Sequence, residues 1–151
     1  MKGIIVAVCI SEKEGTKKTP VAEGCLVKDF GLKGDAHGDH GIPKQVSLLS
    51  TGSIEKMKKQ GFKVGPGDFA ENLTVEGVEL CTLLPGRQFR VSRDIILEIT
   101  QIGKACHGTC TIFKEVRKCI MPREGIFARV IEGGYVRPGD EIKLVKESQS
   151  K

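Results

Sequence analysis

The sequence predicts a mainly β domain, a closed or nearly closed barrel of mixed strands with a few short helices. Three observations carry that reading. A Pro-Gly step recurs at Pro66-Gly67-Asp68, Pro85-Gly86-Arg87 and Pro138-Gly139-Asp140, each pairing a residue of fixed φ with one that tolerates positive φ, the chemistry of a type II turn. Between these turns apolar and polar residues alternate with the period of a half-buried strand. There are also 19 glycines in 151 residues, nearly double the roughly 7% usual for proteins, which fits a turn-rich chain.

The elements follow in order. Gly3 to Ile10 is a dense apolar run and a first strand, and Lys44 to Leu49 is a second. Ser50 or Thr51 then caps a helix in which Ile54 and Met57 face inward and Lys56, Lys58 and Lys59 face water, ending at Gly61; it is expected to lie as a strap across the barrel. Glu71 to Glu76 is the next strand. Phe89 and Val91 alternate with Gln88 and Arg90, Ile95, Leu97 and Ile99 with Glu98 and Thr100, and Ile142 and Leu144 with Lys143. A second helix is predicted from about Cys110 to Cys119, where Ile112, Phe113, Val116 and Cys119 form a stripe and Pro122 ends it. Ile126 to Ile131 adds a further strand. Strands this short and closely spaced are economically paired by closing the sheet on itself, which leaves no long edge exposed.

Residues 1–151 read as a single domain, since no repeat and no low-complexity linker divides them. The longest apolar run, Ile4 to Ile10, is far short of the roughly 20 residues of a membrane helix, and it runs into Ser11-Glu12-Lys13-Glu14 without a secretory cleavage site. A cytoplasmic protein without membrane attachment is therefore expected, with its 6 cysteines as reduced thiols. Cys9, Cys25 and Cys81 read as packing residues. The balance of 24 Lys+Arg against 19 Asp+Glu, a net +5, mildly favours small anions such as phosphates. Nucleic acid is not expected, because the lysines at Lys17-Lys18 and Lys56 to Lys59 have no interleaved aromatic residues and read as solvated surface.

The densest reactive stretch is Gln101-Ile102-Gly103-Lys104-Ala105-Cys106-His107-Gly108-Thr109-Cys110, at the end of a predicted strand. A thiol beside Lys104 and His107 has its thiolate favoured by positive charge, and the thiolate is the form that attacks, carries sulfur or binds a soft metal. Cys106 is the candidate nucleophile and metal ligand, because Gly103 and Gly108 put it in a loop; Cys110 is ambiguous and Cys119 extends an apolar stripe. The C-x3-C and C-x8-C spacings of Cys106, Cys110 and Cys119 are not those of the common zinc modules. A second polar cluster, Gly34-Asp35-Ala36-His37-Gly38-Asp39-His40, is open to three readings: a metal site, a substrate loop or a solvated turn.

Gly67-Asp68-Phe69-Ala70-Glu71-Asn72-Leu73-Thr74-Val75-Glu76-Gly77, the strand end Thr100-Gln101 and the following Cys106 together resemble the MOSC domain, named for the C-terminal domain of molybdenum cofactor sulfurase. Gly34-Asp35-Ala36-His37 ahead of Lys44-Gln45-Val46-Ser47-Leu48-Leu49, and Met121-Pro122-Arg123-Glu124-Gly125-Ile126, extend the likeness to the small stand-alone members, in order along most of the chain. The resemblance implies a MOSC-type β-barrel that handles the molybdenum cofactor, molybdopterin, or its sulfur. It implies that Cys106 ligates molybdenum or carries a persulfide, with His107 beside it. Lys44, Arg87, Lys104 and Arg123 are the cations offered to the pterin phosphate, with Asn72, Thr100 and Gln101 as neutral contacts. A cysteine desulfurase as sulfur donor and a molybdoenzyme as acceptor would be the partners; pyridoxal phosphate binding is not expected. The alternatives are a molybdenum-dependent reductase of N-hydroxylated compounds, against which Ile102-Gly103-Lys104 stands where catalytic relatives carry a Pro-Arg step, and a structural metal module built on Cys106, His107 and Cys110.

Overall fold

A computed structural model describes residues 2–11, 18–35, 45–69, 71–80, 83–102 and 125–145. Within them the strands are β1 (Lys2–Ile10), β2 (Thr19–Val21), β3 (Gly24–Val27), β4 (Gly31–Leu32), β5 (Val46–Ser50), β6 (Leu73–Glu76), β7 (Gln88–Val91), β8 (Ile95–Ile102), β9 (Ile126–Glu132), β10 (Gly134–Val136) and β11 (Glu141–Leu144), with the helix α1 (Thr51–Lys59). The main sheet runs β11-β7-β8-β9-β5-β6-β1-β2, and β11 also pairs with β1. That pairing, Lys2 opposite Lys143 and Ile4 opposite Glu141, closes seven strands into a barrel and leaves β2 appended to β1. The β5–β6 pair is parallel, whereas the other pairings described are antiparallel, so the barrel is mixed as expected.

Alternation decides what lies inside. Ile5 and Val8 of β1, Val46 and Leu48 of β5, Leu73 and Val75 of β6, Phe89 and Val91 of β7, Leu97 and Ile99 of β8, and Ala128 and Val130 of β9 meet in one buried core. Burying each such aliphatic or aromatic side chain contributes about 1.5–3 kcal/mol, and closure lets every strand spend its inward face. A second sheet, β10-β3-β4, adds Leu26, Leu32 and Val136 to the same core. These strands, and β2, were not legible because their two to four residues carry no apolar–polar alternation.

The strap helix is where the sequence predicts it. Ile54 and Met57 of α1 are buried with Leu49, Val64, Phe69 and Phe127 in a second core on the outer face of the sheet. Its start differs from the expectation in one respect. Ser50 stands at the N-cap but makes no side-chain cap bond; its hydroxyl donates to the Val78 carbonyl at 2.7 Å and accepts from Leu80 N–H at 3.1 Å, so it pins the following segment instead. The helix predicted at Cys110 to Cys119 lies outside the described residues. No described helix is long and apolar enough to cross a membrane.

Each of the three Pro-Gly turns has its glycine at positive φ: +86° at Gly67, +97° at Gly86 and +99° at Gly139. At Gly67 the requirement is double, because a Cβ there would also strike the Lys18 carbonyl oxygen.

Candidate functional site

The strand that leads toward Cys106 is β8, and the register around its end assembles the candidate site. Gln101 lies opposite Phe127 of β9, Phe127 opposite Ser47 of β5, and Ser47 beside Asn72 at the start of β6, which is bonded in turn to Cys9 of β1. One transverse row thus carries Gln101, Phe127, Ser47, Asn72 and Cys9 from β8 to β1. The β8–β9 register shifts between Ile99 and Gln101, leaving Thr100 as the extra residue of a bulge, its hydroxyl donating to the Phe127 carbonyl at 3.1 Å. Thr100 and Gln101 are both half-buried.

Asn72 is fully buried and holds three strands together. Its backbone N–H turns toward β5, donating to the Ser47 carbonyl at 2.9 Å, and is therefore unavailable to the Cys9 carbonyl. The side chain substitutes: Nδ2 donates to Cys9 O at 3.0 Å, while Oδ1 accepts from Ser47 N–H at 3.0 Å. This use of the Glu71-Asn72 pair also explains why β6 begins at Leu73, later than the sequence predicts.

Glu71 is likewise fully buried. Its carboxylate accepts from Gly67 N–H at 2.9 Å, Phe69 N–H at 3.2 Å and the Thr74 hydroxyl at 2.8 Å, tying the Pro66-Gly67 turn to β6. Desolvation pushes its pKa above the usual carboxylate range, against the pull of those hydrogen bonds. Burial, and then the nearby Glu71 charge, push the Cys9 thiol up to about 12, so Cys9 stays protonated at neutral pH and is no thiolate donor.

Beside it lies a buried ion pair that the sequence did not disclose. Lys18 Nζ meets Asp35 Oδ1 at 2.8 Å with both side chains 0% exposed; the Ser11 N–H donates to the same oxygen at 2.9 Å, and the Ser11 hydroxyl oxygen accepts from Lys18 Nζ at 3.0 Å. The reading of Lys17-Lys18 as solvated surface is therefore wrong for Lys18. A lone lysine looks like surface until its acid, distant in sequence, is known. Asp35 Oδ1 for its part is taken up by Lys18 and the Ser11 N–H. Removing one partner of such a pair strands a buried charge, at about 3–5 kcal/mol.

Arg87 is half-buried at the start of β7, and its Nε is buried without a hydrogen-bond partner among the described residues. Lys44, Lys104, Cys106, His107 and Arg123 lie outside the described residues, as do His37, His40, Cys81, Cys110 and Cys119. Of the predicted site residues, then, Asn72 and Gln101 share one row with Thr100 against it, and Arg87 sits one strand away beside β8. Sequence reading missed Ser47, Glu71, Lys18 and Asp35 as the polar groups that build this face.

The MOSC domain family model matches residues 34–143, most of the chain. The chain belongs to the MOSC domain family. Members are associated with molybdenum cofactor binding and sulfurase-like roles. This MOSC domain is similar in fold to YuaD from Bacillus subtilis, with a TM-score of 0.81 at 18% identity over 98% of each chain. YiiM from Geobacillus stearothermophilus matches at a TM-score of 0.72 and 18% identity, over 97% of this chain and 76% of that one. YiiM from Escherichia coli matches at 0.68 and 18%, over 98% and 71%. No curated protein sequence gives a significant match. The MOSC assignment accounts for the Gly67 to Gly77 stretch as barrel architecture: turn, buried carboxylate, strand-bridging amide, strand.

Proposed function

We propose that this MOSC domain binds a molybdopterin-type cofactor, with the Cys106 thiolate ligating molybdenum or carrying sulfur as a persulfide. The observation that carries the reading is family membership across residues 34–143, which include Cys106 four residues beyond the end of β8. The chemistry of the thiol in the described row agrees with it: Cys9, pushed up to about 12, is held as a thiol, whereas sulfur transfer needs a thiolate. For the phosphate of the pterin, Lys44, Arg87, Lys104 and Arg123 are the cations proposed, and the orphaned Arg87 Nε fits such an acceptor. Thr100 and Gln101 are the neutral contacts proposed, whereas Asn72, fully buried and bonded to Ser47 and Cys9, braces the barrel instead of touching a cofactor, and His107 neighbours the thiolate in sequence. When bound, the cofactor supplies a metal centre for redox chemistry that the side chains lack. A cysteine desulfurase would supply sulfur and a molybdoenzyme receive it, and the cytoplasm is the proposed compartment.

The test is elemental analysis with intact mass spectrometry of protein purified without oxygen from a molybdenum-supplied host, for the wild type and Cys106→Ser. The wild type is expected to carry molybdenum, or an adduct of about +32 Da on Cys106 corresponding to one added sulfur, and Cys106→Ser to lose either while keeping its fold. Loading that survives the substitution refutes the proposal.

A further inference from the structure

Away from the candidate row, the outer wall of the barrel carries an open cleft of about 460 Å³, lined by Lys2, Gly3 and Ile4 of β1, Glu76 and Gly77 where β6 ends, and Glu141 at the start of β11. Cys9 of the row lies five residues along β1 from Ile4, roughly 16 Å at about 3.3 Å per residue, so the cleft is separate from the site described above. Its shape follows from register. Ile4 pairs with Glu76 on one side and with Glu141 on the other, so the three side chains share the outer face, whereas Ile5, Val75 and Ile142 beside them turn into the core. Ile4 is 49% exposed, an isoleucine standing in water between carboxylates on both neighbouring strands. The floor is bare backbone. A Cβ on Gly3 would strike the Glu76 carbonyl oxygen, and one on Gly77 would lie 3.2 Å from Gly3 Cα, so the close approach of β1 and β6 keeps side chains out of the space.

The charges of the lining do not cancel. Lys2 stands directly opposite Lys143 on β11 and turns its ammonium diagonally to Glu141 at 3.6 Å, with both partners more than half exposed. Glu76 has no ion pair or hydrogen bond to its carboxylate among the described residues. Two carboxylates against one ammonium leave one negative charge, at Glu76, across from the apolar side chain of Ile4. An exposed carboxylate by itself holds a cation weakly, and a single exposed isoleucine is ordinary. Together in one cleft they select a ligand that has both parts: a cation to meet Glu76 and an apolar body to cover Ile4. The cleft is within the roughly 300–1,000 Å³ that holds small molecules. Lys2 is a resident example of the chemistry, an ammonium on a methylene stem that lines the cleft.

We propose that the cleft between β1, β6 and β11 binds a small organic cation, a primary ammonium on an apolar body, with the charge at Glu76 and the body over Ile4. It is a second ligand site, opposite in charge preference to the cofactor site and independent of it.

The experiment titrates pentylammonium chloride into protein with isotope-labelled isoleucine methyls and follows the Ile4 δ1 methyl by nuclear magnetic resonance, assigned through Ile4→Val, with sodium pentanoate as the probe of equal length and opposite charge. The wild type is expected to show a saturable shift of that methyl with pentylammonium and none with pentanoate. Glu76→Gln is expected to bind about threefold to fivefold more weakly, the upper part of what an exposed ion pair supplies, and Lys2→Gln to bind more tightly, because it removes the competing ammonium and frees Glu141. An unchanged thermal transition checks that each of these surface variants is folded. No saturation below about 50 mM, equal affinity in the wild type and Glu76→Gln, or a shift with pentanoate equal to that with pentylammonium overturns the site. Nα-acetyl-lysine methylamide binding more tightly than pentylammonium assigns the cleft to a basic side chain of a partner protein and overturns the small-molecule assignment.

Discussion

Asn72→Ala should be among the most damaging single substitutions in this protein, and its cost follows from two bonds. The side chain is 0% exposed, so no solvent reaches the groups it leaves behind. Truncation orphans Ser47 N–H and the Cys9 carbonyl, which Asn72 satisfies at 3.0 Å each. A buried polar group stripped of its partner costs about 1–3 kcal/mol, so two such groups set a loss of about 2–6 kcal/mol before any cavity term. Domains of this kind have roughly 5–15 kcal/mol in total, and the variant should unfold at markedly lower denaturant. Urea unfolding followed by far-ultraviolet circular dichroism measures the midpoint and slope. Asn72→Asp is the companion, because it keeps the acceptor for Ser47 N–H but cannot donate to Cys9 and buries a charge; it should be no better than Asn72→Ala near neutral pH. A loss below about 1 kcal/mol in both variants, with the slope unchanged, would show that the bridge across β5, β6 and β1 carries little energy and that the reasoning is wrong.

Two further outcomes follow from buried ionisable groups. Glu71 has its folded pKa raised from 4.5, chiefly by desolvation; the folded state therefore holds the proton more tightly than the unfolded chain, its stabilising effect is present below the ordinary value, and it is lost as pH rises through the raised value. Wild-type stability should fall relative to Glu71→Gln as pH increases above the ordinary carboxylate range, and a difference that does not change with pH contradicts the burial argument. Cys9, pushed up to about 12, should resist iodoacetamide at neutral pH in the native protein and react once it is unfolded; peptide mapping that finds Cys9 alkylated as fast natively as in urea rules against its burial.

The local features of this fold were legible because their causes are local. Gly67, Gly86 and Gly139 take positive φ where Pro-Gly steps require it, α1 runs under Ile54 and Met57 as its spacing dictates, and the alternation in β7, β8 and β11 points the same residues inward that the barrel buries. The resemblance carried by Gly67 to Gly77 and by Thr100-Gln101 ahead of Cys106 located the family from sequence alone. What alternation could not supply was a strand without apolar–polar alternation of its own, which is why β2, β3, β4 and β10 were not seen, or anything that needs two distant groups at once.

Tertiary structure decided the rest. Lys18 reads as a surface lysine until Asp35 is brought to 2.8 Å of it, Glu71 as the first residue of a strand until a turn and β6 converge on its oxygens, and Ser50 as a helix cap until Val78 takes its hydroxyl. Arg87 reads only as one of four cations offered to a phosphate until the bulge of Gly86 and Arg87 against Ile99 turns it toward the core. The physical reason is common to all four. Propensity, turn chemistry and periodicity are written into neighbouring residues, but the cost of burying a charge or a hydroxyl depends on a partner whose position only the closed barrel sets.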